Sequence, residues 1–114
     1  MRKNLTRGER LRGGKEIDGV FRNSEKMSHC RGARLAACHN EMGINRFAAI
    51  PTKKIGKAVR RNHAKRLFRE IYRNLKCRIN NGYDIVVVIY GGRYEYIERE
   101  EQFLYLIKKA GIAK

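Results

Sequence analysis

The chain is short of acidic residues: its 114 residues contain 11 Asp and Glu against 27 Lys and Arg, a formal net charge of +16. It has no tryptophan and a single proline. The longest apolar run, residues 85–89, is far below the roughly 20 residues that a membrane-spanning helix needs. No apolar block follows the first basic residues, so we expect no secretory signal and a cytoplasmic protein.

The cysteines are too few and badly spaced for a disulfide scaffold or a zinc ribbon. Cys30, Cys38 and Cys77 are an odd number without a CxxC pair, so reduced thiols are expected. His29 and His39 each adjoin a cysteine. On a strand, however, neighbouring side chains point to opposite faces, so each pair offers one ligand at most. We expect no metal site.

Clustered carboxylates, which a two-metal nuclease needs, are missing as well. The acids outside the last predicted helix are scattered, and Asp84, close to Gly82, is explained by a turn. No phosphate-binding GxxxxGK[ST] loop occurs. We therefore predict no catalytic residue in the polypeptide.

What the chain does have is a concentrated positive charge. Residues 1–78 hold 22 Lys and Arg and 6 Asp and Glu, whereas the last 36 residues are neutral and are expected to serve as scaffold. Residues 53–78 alone carry eleven basic residues against one acid, Glu70. A block of this density is expected to face a polyanion.

Apolar spacing over residues 58–79 predicts a long amphipathic helix with one packed stripe. A merely solvated face is the alternative, but solvated faces usually mix Glu with Lys, and this one has almost no acids. The cationic ridge of this helix steps by four and three residues through Arg61, Lys65, Arg69, Arg73 and Lys76.

The remaining segments predict a small α+β sandwich. A helix is expected over residues 15–23, after a Gly-Gly breaker, and a hairpin from residues 33–38 and 44–50, with Pro51 at the end or edge of its second strand. Residues 83–90 predict an interior strand, covered on both faces, and residues 97–110 a final helix. The expectation is one domain over 1–114, with 1–10 as a flexible basic tail.

Phe21, on the first helix, has two open interpretations. It could offer a stacking face for an unpaired base beside cationic groups, or it could simply pack the helix on the sheet.

Residues 53–70, KKIGKAVRRNHAKRLFRE, closely resemble the signature of the bacterial ribonuclease P protein subunit. The match fixes Lys-Lys, Gly, Ala-Val, Arg-Asn, Lys-Arg and Arg-Glu in one register. Gly-Tyr-Asp before a hydrophobic strand, at residues 82–84, agrees with it, and the resemblance covers roughly residues 5–110.

The resemblance implies an α/β sandwich in the order α-β-β-(β)-α-β-α, with an extra short strand near 51–56 and a left-handed βαβ crossover. It implies an RNA-binding subunit that assists a catalytic RNA in removing the 5′ leader of precursor tRNA, with Mg²⁺ bound mainly by the RNA. The partners would be ribonuclease P RNA and precursor tRNA, and the protein alone would be a monomer.

Residue roles follow from the same resemblance. The leader cleft would involve Ile17 and Phe21, although Ile17 stands where an aromatic residue is common. His63 replaces the third member of an Arg-Asn-Arg triplet, which makes the charge there dependent on pH. The residues expected to contact the RNA subunit or lie near its active site are Lys53, Lys54, Lys57, Arg61, Asn62, His63, Lys65, Arg66 and Arg69.

Two other functions remain open. A ribosomal-type structural RNA-binding protein would share the basic surface, and a protein-only nuclease would cleave RNA without an RNA subunit. The first is the stronger alternative, because the second lacks its carboxylates.

Overall fold

The computed structural model describes residues 7–114, which form one α+β domain around a four-stranded sheet and thereby confirm the predicted fold class. None of the described helices is long and apolar enough to cross a membrane. Three short 3-10 helices accompany the main elements, at Arg7–Glu9, Lys53–Ile55 and Lys76–Arg78. The main elements are α1 (Gly13–Arg22), β1 (Lys26–His29), β2 (Ala33–His39), β3 (Arg46–Pro51), α2 (Ala58–Leu75), β4 (Tyr83–Ile89) and α3 (Tyr96–Lys109).

The strand order is β1-β2-β4-β3, with β4 antiparallel to β2 and parallel to β3. Every residue of β4 is buried, which confirms the predicted interior strand. Its unbroken β-branched run suits this position, because helices cover the sheet on both faces. Pro51 ends β3, at the edge of the sheet, as predicted.

Two expectations about the strands were wrong. The predicted hairpin does not form: β2 and β3 are both present, but β4 lies between them, because a strand with two apolar faces is buried best at the centre. The extra strand implied near 51–56 is a 3-10 turn closed by Gly56 at φ +93°, an angle that ends an extended chain. The additional strand is β1, whose Lys-Met-Ser-His sequence gives no clear pattern.

The crossover from β3 through α2 to β4 is left-handed. The Thr52 N–H donates to the Ile89 carbonyl (2.9 Å), so even-numbered residues of β3 direct their backbone groups at β4. The side chains of Ala48 and Ile50 lie on the α1 face. For L-residues this places β4 to the right of β3 when the strands point up and α1 faces the viewer. The helix α2 lies behind the sheet in this view, so the β3–α2–β4 crossover is left-handed. The resemblance implied this hand, whereas most βαβ crossovers are right-handed.

The core has two layers. On the face covered by α2 and α3, Phe47 stacks on Tyr72 with ring centroids 4.4 Å apart, and Phe103 meets Phe47 edge-on. On the other face, α1 contributes Val20, which packs with Val86 and its neighbours. Apolar burial on both faces is the main stabilising term.

Several boundaries differ from those predicted. The helix α1 begins at Gly13, two residues before the predicted start, and the backbone N–H of its N-cap, Arg12, donates to the Glu16 carboxylate (2.7 Å). The helix α2 ends at Leu75, where the chain tightens into a 3-10 turn. Of the expected flexible tail, residues 1–6 lie outside the described residues. Residues 7–10 are ordered: Arg7–Glu9 form a 3-10 helix, and Arg10 forms an isolated parallel β-bridge with Phe47 of β3.

Candidate nucleic-acid interface

The N-terminus of α2 is strongly electropositive. Its N-cap, Lys57, makes no side-chain capping bond, and no acid lies in the first turn. The first intrahelical bond runs from the Arg61 N–H to the Lys57 carbonyl (3.1 Å), so the preceding N–H groups have no partner within the helix. The positive end of the helix dipole adds to these side-chain charges, an arrangement that suits phosphate oxygens.

The predicted basic residues of α2 do not share one face. Lys65 and Arg69 are half-buried on the flank beside β3, and His63 lies on the other flank, beside the β4–α3 connection. Arg66 is exposed. Arg61 is half-buried, and its guanidinium donates to the Gly56 carbonyl, which holds the preceding loop against the helix.

The other predicted residues of this surface are exposed. Lys53 and Lys54 lie on the 3-10 helix that precedes α2, and Lys57 and Asn62 lie at its start. Lys76, part of the predicted ridge, lies beyond the end of α2 and pairs with Glu9 (Nζ to Oε2, 3.3 Å). The ridge is therefore broken at its C-terminal end.

A groove of about 540 Å³ lies between α1, β3 and α2, and we call it the α1 groove. It brings the predicted cleft residue Ile17 together with the predicted ridge residues Lys65 and Arg69, from a segment about 50 residues away. Its lining includes both apolar and cationic residues, which suits an unpaired nucleic-acid strand. The residues that line it are Arg10, Leu11, Arg12, Gly13, Ile17, Phe47, Ala48, Ala49, Ile50, Pro51, Lys65 and Arg69.

Phe21 does not line the α1 groove. It packs partly buried in the core layer beneath α1, and the Arg34 guanidinium lies over its ring, 5.3 Å from the centroid. Arg34 also lines a neighbouring hollow of about 330 Å³ with His29 and Tyr90. Ile17 and Phe21 lie one helical turn apart on α1 and pack on the same core layer, and Phe21 has a packing role beside a cation.

The sequence reasoning missed Arg34 and Tyr90. A signal existed for Arg34, since it is the one charged residue in an otherwise apolar strand segment, 33–38. Tyr90 follows the interior strand, and only the fold places it beside β2.

An ion-pair network fixes α1 to the sheet. Arg46 donates to Glu16 on α1 (2.7 Å) and to both oxygens of Asp84 on β4. The pKa of Asp84 is below its ordinary value: burial raises it, but hydrogen bonds from Arg46 and Asn40 outweigh that effect. The same Asp84 contact, chiefly, raises the pKa of Arg46. The predicted turn role of Asp84 was therefore wrong: the residue is a buried ion-pair partner.

The cysteine and histidine pairs form no common site. All three cysteines are free, and burial raises the pKa of the Cys38 thiol. The His39 ring nitrogen pairs with Glu25 at 3.1 Å. Within residues 7–114 there is no group of three or more His, Cys, Asp or Glu side chains arranged to hold a metal ion.

The fold and this surface define a class: a small basic α+β protein that binds RNA. The Ribonuclease P family model matches residues 5–111. The ribonuclease P protein component of Clostridium botulinum (strain Loch Maree / Type A3) is 38% identical over 106 residues, covering 90% of this chain and 95% of that protein. That of Syntrophomonas wolfei is 34% identical over 110 residues, covering 95% and 92%.

Solved structures agree. The ribonuclease P protein of Thermotoga maritima superposes with a TM-score of 0.79 at 32% identity, covering 88% of this chain and 96% of that one. The Staphylococcus aureus protein has a TM-score of 0.80 at 22% identity, covering 93% and 98%, and supports the fold alone.

The chain belongs to the ribonuclease P protein family. Members are the RNA-binding protein subunit of ribonuclease P, the endoribonuclease that matures the 5′ end of tRNA. The predicted assignment is confirmed, and the matches favour it over the ribosomal-type alternative.

Proposed function

We propose that this chain binds ribonuclease P RNA through the start of α2 and the preceding loop, and holds the 5′ leader of precursor tRNA in the α1 groove. The observation that carries the proposal is the α1 groove itself, where apolar β3 side chains meet Lys65 and Arg69 of α2. A strand held there would lie beside the α2 surface that contacts the catalytic RNA.

The RNA-subunit contact uses phosphate chemistry. Exposed Lys side chains provide point charges, Arg side chains provide planar donors, and the free N–H groups of the first turn of α2 add to both. The proposed contact residues are Lys53, Lys54, Lys57, Arg61, Asn62, His63, Lys65, Arg66 and Arg69.

The leader contact divides into two parts. In the α1 groove, Ile17, Ala48 and Ile50 provide an apolar floor for bases, while Lys65 and Arg69 neutralise the backbone. Beyond it, Phe21 and Arg34 form a cation–aromatic pair that can extend the stacking surface. Leader binding then depends on α1 being fixed by Arg46.

The polypeptide leaves the metal chemistry to the RNA. Mg²⁺ prefers several oxygen ligands, and the scattered acids of residues 7–114 provide no such group. Any Mg²⁺ that the cleavage needs would be bound mainly by the catalytic RNA, where it would supply positive charge to the reaction. We also propose that the protein acts in the cytoplasm and is a monomer when alone. The edge strand β1 has only four residues to offer a second copy, and the charge of +16 repels one.

The test is reconstitution with a bacterial ribonuclease P RNA and precursor tRNA. At low Mg²⁺ the protein should raise the cleavage rate, because it reduces repulsion between two polyanions. The protein incubated with precursor tRNA alone is the control and should not cleave. If the rate with RNA subunit and protein equals that with RNA subunit alone, the proposed function is wrong.

A further inference from the structure

A second cavity, also of about 540 Å³, lies on the opposite flank of α2 from the α1 groove. It is formed where the start of α2 meets the connection between β4 and α3, and we call it the α2–α3 pocket. The residues that determine its chemistry are Lys54, Arg60, His63, Leu67, Arg93 and Tyr94.

The α2–α3 pocket is positively charged. Arg60, Arg93 and Lys54 line it, and no carboxylate does so among the described residues. Behind them lies Arg99, which is buried, with 6% of its surface exposed. Its guanidinium donates hydrogen bonds to the backbone carbonyls of Gly32 and Tyr90 and to the side-chain oxygen of Gln102. None of these acceptors carries a charge. The buried cation therefore adds to the field inside the pocket.

The pocket also has a built aromatic wall. Gly92 adopts φ +149°, and a Cβ there would stand 2.4 Å from the Tyr94 ring, so only glycine lets the ring lie against this backbone. Arg99 lies over the same ring, 4.4 Å from its centroid. Across the cavity, Leu67 and the 78% exposed Val59 provide apolar surface. Gly92 meets the ring at its Cδ2, Cε2 and Cζ atoms and Arg99 lies over one face, so the ring is positioned before any ligand arrives.

We propose that the α2–α3 pocket binds one unpaired nucleotide of the ribonuclease P RNA, with its base against Tyr94 and Leu67 and its phosphate between Arg60 and Arg93. Cationic groups beside an aromatic ring are how proteins hold unpaired bases. The RNA subunit is the source because the pocket continues the surface at the start of α2, whereas α2 itself separates it from the α1 groove. The inference rests on the proposed contact between α2 and the RNA subunit.

The first test measures the dissociation constant of the protein and ribonuclease P RNA over a range of salt concentrations. Tyr94→Leu should weaken binding about ten-fold without changing the salt slope, since stacking is lost but no charge is. Tyr94→Phe should bind like the wild type. The matched control is Tyr105→Leu, on an exposed tyrosine of α3, which should also bind like the wild type.

Charge variants separate this inference from the proposed function. Arg93→Gln should lower the salt slope by about one unit, whereas Lys109→Gln, an equal change of charge at the far end of α3, should not. If Tyr94→Leu and Arg93→Gln bind normally but Lys57→Gln, at the start of α2, weakens binding, the pocket inference is wrong and the proposed function stands. If all three bind normally, the RNA contact of α2 is wrong too.

The second test asks which RNA is bound. The wild-type protein is cross-linked by ultraviolet light to ribonuclease P RNA in one sample and to precursor tRNA in another, and the peptides are analysed by mass spectrometry. The peptide containing Tyr94 should carry a nucleotide adduct in the sample with ribonuclease P RNA and none in the sample with precursor tRNA. An adduct there with precursor tRNA only would overturn the choice of RNA, and adducts confined to other peptides would overturn the pocket. Circular dichroism melting of each variant shows whether a loss of binding reflects a loss of fold.

Discussion

At the scale of single residues, Arg46 joins three elements that the sequence keeps apart. It lies on β3 and pairs with Glu16 of α1 and Asp84 of β4, each at 2.7 Å. Asp84 is 7% exposed and also accepts a hydrogen bond from Asn40 (2.8 Å). Removing one partner of a buried ion pair leaves the other charge buried without compensation. The resulting loss of stability is larger than the stability that the intact pair adds relative to a pair of apolar residues.

Asp84→Asn should lower the free energy of unfolding at pH 7 by about 3 kcal/mol. The pKa of Asp84 is lowered in the folded protein from 3.8, so its stabilisation is fully present above that value and is lost as the pH falls through the folded-state pKa. Urea unfolding at several pH values should show the difference between wild type and variant shrinking below about pH 4. A difference independent of pH would contradict the ionic role.

Phe21→Leu should keep much of the packing beneath α1 but remove the ring that faces Arg34. Precursor tRNA should then bind the reconstituted holoenzyme about five-fold more weakly, because an aromatic stacking surface is lost, while mature tRNA binds as before. Titration of both RNAs measures this. Equal weakening of the two would assign Phe21 to packing alone.

At the scale of elements, α2 carries its charges at the end where they destabilise it. Cations near a helix N-terminus oppose the dipole, and Lys57 occupies the N-cap in extended geometry without capping. In contrast, α3 has Glu95 and Glu98 in a capping box at its start and Lys108 and Lys109 in its last turn. The start of α2 is therefore less stable than that of α3, which is the arrangement expected if it serves the proposed RNA contact.

Lys57→Asp should therefore move stability and binding in opposite directions. An Asp at this N-cap should raise the free energy of unfolding by about 1 kcal/mol, while the affinity for ribonuclease P RNA falls. Lys108→Asp makes the same change of charge at the C-terminal end of α3, and it should lower stability and affect RNA binding less. Thermal melts and RNA titrations of both variants measure this, and a variant Lys57→Asp that binds RNA normally would favour a merely solvated face.

At the scale of the whole molecule, the charge of +16 is distributed differently in space and in sequence. The last 36 residues are neutral in sum, yet Arg93 and Arg99 lie beside Arg60 in the α2–α3 pocket. The acids of these 36 residues lie mostly on α3, so the C-terminal part contributes positive charge to the pocket although its net charge is zero. Such an excess of one sign destabilises the compact state through self-repulsion.

Salt should stabilise the free protein. Raising NaCl from about 20 to 300 mM shortens the Debye length to below 10 Å and should raise Tm by about 5 °C. Arg66→Gln, on an exposed site of α2, should melt higher than the wild type at low salt and respond less to added salt. A Tm that falls with salt would mean that pairs such as Arg46 with Glu16 outweigh the repulsion.

The local pattern was sufficient for the helices and for the interior strand. Continuous β-branched residues at 85–89 predicted burial on both faces, and the amphipathic stripe of residues 58–79 predicted α2 to within a few residues at its end. Strand pairing was not predictable in this way. The connection between β2 and β3 contains Asn40 and Gly43, which suit a hairpin turn locally, but the competition for the centre of the sheet is decided by the whole chain.

The sequence by itself indicated the kind of partner, since an acid-poor basic block favours a polyanion, and the motif at residues 53–70 identified the family. Only the tertiary structure decided how those charges are used. It places Lys65 and Arg69 in the α1 groove with Ile17, and it brings Arg60 and His63 into one pocket with Tyr94. The physical reason is that the net charge depends only on the composition of the chain, whereas a binding surface depends on which elements the packed core brings side by side.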